Sequence, residues 1–161
     1  MFIRPVNKRN SKFVIILLTG LLTGTLDIIA AVLWNYKIKA VIIFQFIASG
    51  FFGKAAFAGG ADMVLWGIYF HYAIALVFTT AFYLLYPFFY SIFRNKYIVG
   101  AEYGLAAWMI MNLIVVPFSK IGRGPLHIAT MALGMLILII CIGLPVALIA
   151  HRFNKVKSAT K

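Results

Sequence analysis

Apolar runs of membrane-crossing length alternate with short polar breaks along nearly the whole chain. The first run begins at Phe13, behind a start bearing Arg4, Lys8, Arg9 and Lys12, and continues to about Trp34. Some 22 residues at a helical rise reach roughly 33 Å, enough for the hydrocarbon core, so the pattern predicts span one over residues 13–35. A basic start ahead of an apolar run also describes a signal peptide, but this run is too long and lacks a small-x-small cleavage site. The break Asn35-Tyr36-Lys37-Ile38-Lys39 follows.

Residues 40–58 are apolar again, yet Gln45, Ser49, Gly50, Gly53 and Lys54 interrupt them and Gly59-Gly60 closes them. Those glycines and the lysine favour an interfacial or re-entrant helix, because irregular backbone is tolerated at membrane depth only where protein or water satisfies it. A full crossing stays open. Asp62 reads as an N-cap-like residue ahead of a long run over residues 63–93, expected to tilt or to bend near Pro87. Span three is predicted over 98–117, with Pro117 and Ser119 at its exit and the loop Lys120–Gly124 behind it. Span four is predicted over 125–150, with Pro125 in its first turn and Pro145 as a late bend. The expected fold is therefore all-α: one polytopic transmembrane domain over residues 1–161, with four transmembrane helices and a re-entrant or interfacial helical segment between the first and second. No fixed-period repeat or flexible linker interrupts it.

Composition agrees with lipid as the solvent. The hydrophobic fraction is 64% and the charged fraction 11%, against roughly 45–50% and about 25% in soluble domains. The net charge of +12 does not signal nucleic acid, since the basic residues flank apolar runs instead of gathering on one folded face. They orient the chain and meet anionic lipid headgroups at both basic termini. With four spans, one side holds Arg4, Lys8, Arg9, Lys12, Arg94, Lys96, Arg152, Lys155, Lys157 and Lys161. The other holds Lys37, Lys39, Lys54, Lys120 and Arg123. This bias predicts that both termini are cytoplasmic; a full crossing by residues 40–58 would separate them. Cys141, the single cysteine, makes no internal disulfide and reads as a packing residue.

Polar residues inside the runs carry the candidate chemistry. Gly20, Thr23, Gly24, Asp27 and Ala31 form one stripe of span one, and Gly67, His71, Ala75 and Thr79 form one of span two. Gly20, Gly24, Gly67 and Gly104 are candidate helix-packing positions, where small residues allow close approach. Asp27 is costly in a span and suits a bundle interior or watery cavity. Span one runs outward and span two inward, which puts Asp27 and His71 each roughly 12 Å below the same surface. The pair is expected to meet there, with Asn112 at similar depth, Thr130 near the outer end of span four, and Gln45, Ser49 and Lys54 supplied by the covering segment. Such a pair serves either a ligand or ion, or only helix register; interhelical polar contacts in membranes average about 0.6 kcal/mol. Glu102, His127 and His151 read as interfacial, with Arg94, Lys96 or Arg152 as partners for Glu102 and His151.

No metalloprotease, nucleophile-elbow, phosphate-loop or dinucleotide motif is present, no metal site is expected, and bis-histidine haem is poorly served by the histidine depths. No cofactor follows. The strings Gly24-Thr25-Leu26-Asp27-Ile28, Ile47-Ala48-Ser49-Gly50 and Gly53-Lys54-Ala55-Ala56-Phe57, with Gly67, His71, Tyr103-Gly104, Pro117, Ser119 and Gly143-Leu144-Pro145, span nearly the whole chain. In these the chain resembles the YagU-like family of small, uncharacterised bacterial integral membrane proteins. That resemblance implies a bacterial inner-membrane location and brings no activity, ligand or catalytic residue.

Three functions compete. One is a small transporter or permeation-type protein using Asp27 and His71, with residues 40–57 as a lid. Another is a non-catalytic membrane interaction or scaffold module, self-associating or bound to a membrane partner through its small-residue stripes. Last comes an intramembrane enzyme acting on lipid through Asp27, His71 and Lys54.

Overall fold

The computed structural model describes residues 8–122 and 128–159, with side chains from 12 to 122 and from 128 to 153. Arg4, Arg123, Gly124, Pro125, His127 and Lys161 lie outside the described residues, as do the side chains of Lys8, Arg9, Lys155 and Lys157. Every described element is helical. Helix α1 is Lys8–Trp34 and α2 is Ala40–Phe52, prolonged by a 3-10 helix at Gly53–Ala58; α3 is Gly60–Phe93. Helix α4 is Lys96–Ile110, continued by a π turn at Met111–Val115 and a last turn at Val116–Phe118. Helix α5 is Ile128–Leu138, a π turn at Ile139–Gly143, and Leu144–Ala159. Five helices among the described residues are long and apolar enough to cross a membrane, one of them residues Ala40–Ala58.

The helix ends have local causes. Asp62 does not cap α3, because the helix already begins at Gly60, with Gly59 as its N-cap, and Asp62 lies within the first turn. There its carboxylate complements the positive end of the helix dipole. Gly60 holds φ +57°, a left-handed value that costs glycine little and lets the 3-10 helix turn directly into α3. At the far end Arg94 closes α3 at φ 50°, and the Asn95 side chain then accepts the Tyr97 amide at 2.9 Å to start α4.

Both π turns stop just short of a proline. Pro117 lies two residues beyond Val115, and Pro145 two residues beyond Gly143. A proline inside a helix removes one hydrogen bond and presses its ring on the preceding turn, and a wider turn there relieves both. Pro145 therefore does not end or visibly break α5, and Pro117 sits in the last turn of α4. Pro87 is carried inside α3 without a π turn.

Packing fixes the order of the bundle. Gly20 faces Leu76, and Gly24 faces Tyr72 and Ala75, so α1 and α3 run antiparallel and Trp34 falls level with the first turn of α3. Gly104 meets the Ile139 backbone, and Gly143 the Gly100 and Gly104 backbones, which seats α4 against α5. The core is concentrated at the Arg94 end, where Phe82, Tyr86, Val99, Tyr103, Val146, Ala147 and Ala150 pack together. Helix α2 touches three parts of the other end. Its Phe44 backbone presses on Gly67, Gly50 faces Ser119, and the Lys120 amide donates to the Gly50 carbonyl at 2.9 Å.

Candidate functional site

The cavity that matters lies at the Trp34 end, under α2. Its volume is about 340 Å³, and Asp27, Asn35, Ile47, His71, Met111 and Ile142 are among the residues lining it, so all five helices contribute. The walls are otherwise aliphatic or aromatic, Phe46 and Phe78 included. Asp27, Ala31 and Asn35 reach it as one stripe of α1, at successive steps of four. The size and the few polar groups in an apolar wall match small-ligand sites in general.

His71 Nε2 lies 2.8 Å from the Gly24 carbonyl oxygen. That oxygen only accepts, so Nε2 carries the hydrogen and donates. This contact pins the ring to α1 one turn from Asp27. Asp27 and His71 therefore share the cavity. The two are neighbours in one field rather than a direct ion pair. Among the described residues the Asp27 carboxylate has no hydrogen-bond donor.

The other candidate residues are distributed differently. Asn112 donates to the Trp108 carbonyl of its own helix at 2.9 Å, and its neighbour Met111 lines the cavity instead. Gln45 and Ser49 are buried on α2 outside the cavity lining, with the Ser49 hydroxyl donating to the Phe46 carbonyl at 2.6 Å. Lys54 is exposed on the 3-10 helix, and Thr130 is exposed on α5. Gly20, Gly24, Gly67 and Gly104 all lie at close contacts between helices of this chain. Glu102 is exposed on α4, while His151 Nδ1 meets the Tyr86 hydroxyl at 2.9 Å and its ring lies against Tyr90. Among the described residues no three His, Cys, Asp or Glu side chains gather to hold a metal.

Asn35, Met111 and the π turns went unnoticed in the sequence as site elements. Asn35 was legible, since it continues the Asp27–Ala31 stripe by one more step of four. The two π turns border the cavity through Met111 and Ile142, and single π turns occur frequently at functional sites. No known protein family, curated protein or solved structure matches the chain.

Proposed function

We propose that this chain is a multi-pass protein of the bacterial inner membrane in which α1, α3, α4 and α5 cross and α2 lies over their outer ends. Both termini are then cytoplasmic. The register of α1 on α3 supports this reading. It brings Trp34 level with the start of α3, so the two ends of the α2 segment are tied to the same end of the bundle. An α2 crossing beside α3 would carry Ala40 about 27 Å from the level of Trp34. From Trp34 to Ala40 the chain spans at most about 22 Å when fully extended, and the linker begins with a turn closed by the Ile38 amide on the Asn35 carbonyl. The contacts of Gly50 with Ser119, at the exit of α4, agree with a cover rather than a crossing. The arrangement also keeps ten basic residues on one side against five on the other.

Within that frame the protein is a small-ligand binding protein of the permeation type, and its cavity takes a small cation with apolar surface. One observation carries this: the Asp27 carboxylate opens on a largely apolar cavity with no hydrogen-bond donor among the described residues. A carboxylate in a low-dielectric wall is costly unless a proton or a cation meets it. Butyltrimethylammonium is a suitable probe. Binding to protein in phosphatidylcholine nanodiscs, and flux from proteoliposomes, should both fall at least about tenfold in Asp27→Asn, equivalent to about 1.4 kcal/mol. Asp62→Asn, an exposed acid outside the cavity, should leave both unchanged. Equal binding by Asp27→Asn and the parent protein, both folded, would discard the reading.

The interaction-module reading retains one supporting feature. Glu102 is exposed on α4 with no cationic partner among the described residues, roughly 9 Å from the start of that helix. A strictly monomeric, partnerless protein in native-membrane mass spectrometry would remove it. The close glycine contacts do not help this reading, since they are spent within the chain.

A further inference from the structure

A second cavity of about 380 Å³ lies between α2 and α4, and it shares a wall with the first. Phe46, Ile47, Ile74 and Met111 line both, so these four side chains stand between the two chambers. The chambers differ in chemistry. The first holds Asp27, Asn35 and His71. In the second, Ser119 is the only lining residue with a polar side chain, and its hydroxyl already donates to the Val116 carbonyl at 2.7 Å. The rim of the second chamber opens at the protein surface, where Phe51 is 61% and Val115 38% exposed.

Charge orders the two chambers as well. At the rim of the apolar one the Lys120 ammonium sits 5.4 Å from the centre of the Phe51 ring. Lys54 follows Gly53, whose position contacts the Lys120 side chain. No acid lines this chamber. A cationic head is therefore disfavoured at the rim and favoured beside Asp27, while an uncharged chain finds only hydrocarbon and aromatic surface in the second chamber.

We infer that the two chambers form one bipartite site for a single-chain cationic amphiphile, with its ammonium beside Asp27 and its alkyl tail passing Phe46 and Met111 into the α2–α4 cleft. This rests on the cation-binding reading above and adds the substrate class. Head and tail are recognised by different residues, so each can be removed alone. A short cation fills only the Asp27 chamber. A long one uses both, and its extra affinity depends on the cleft.

The experiment compares butyl- and decyltrimethylammonium on full-length protein in phosphatidylcholine nanodiscs, with empty nanodiscs subtracted to remove partitioning into lipid. Val115→Trp fills the cleft from a half-exposed position that does not line the Asp27 chamber. It should weaken decyltrimethylammonium at least about tenfold, or about 1.4 kcal/mol, and leave butyltrimethylammonium unchanged. Retained butyltrimethylammonium binding reports that the variant is folded. Asp27→Asn should weaken both probes. Should Asp27→Asn lower binding while Val115→Trp binds the long probe like the parent, the bipartite site falls and the cation site stands. Should Asp27→Asn change neither probe, both fall.

Discussion

Gly67→Ala tests how α2 is held against α3. A methyl group on Gly67 would point into the backbone of Phe44, within 2.6 Å of its carbonyl carbon, 2.9 Å of its Cα, and closer still to its oxygen. Side-chain obstacles rotate away, but a helical backbone moves only by shifting the whole segment. Overpacking of this kind costs about 1–3 kcal/mol, and the gain of alanine over glycine in a helix interior returns up to about 1 kcal/mol. The net expectation is a loss of about 1–2 kcal/mol. Gly134→Ala is the matched control. Its nearest neighbour is Trp108 Nε1 at 3.4 Å, an ordinary contact, so only the helix-propensity gain applies and stability should hold or rise. Both variants can be unfolded by increasing SDS in mixed micelles, with tryptophan fluorescence as the readout. A Gly67→Ala protein as stable as Gly134→Ala would refute the close approach of α2 to α3 and, with it, the packing that shapes the cavity.

Two further substitutions probe the polar groups inside the bundle. Thr79 is fully buried and its hydroxyl oxygen has no hydrogen-bond partner, so the near-isosteric Thr79→Val should stabilise by about 1–2 kcal/mol in the same SDS titration. Destabilisation would mean that the hydroxyl is engaged. Tyr103 donates its hydroxyl to the Phe78 carbonyl and joins α4 to α3; Tyr103→Phe should cost about 1 kcal/mol, and an unchanged midpoint would dismiss that bond.

The helices were legible from local pattern because each apolar run contains its own length, and a fixed rise per residue turns length into depth. That arithmetic suffices to bring Asp27 and His71 to one level of the bundle, where they do share a cavity. Direction around a helix axis is a weaker inference. It accumulates about 100° per residue in a regular helix, and a π turn resets it. Around Met111 that reset leaves Met111 on the cavity while Asn112 turns back to Trp108. The glycine positions were readable as small residues on shared faces. Their partners were not, because Phe44 reaches Gly67 only through the way α2 folds back after Trp34. His71 likewise could be placed in depth, but its choice of the Gly24 carbonyl over the Asp27 carboxylate depends on the rotation of α1 against α3. Chain-local chemistry determined the apolar helices, their order and the level of the ionisable groups along them. Packing between helices decided which side chains face one another, because azimuth and tilt are set by contacts far apart in the chain.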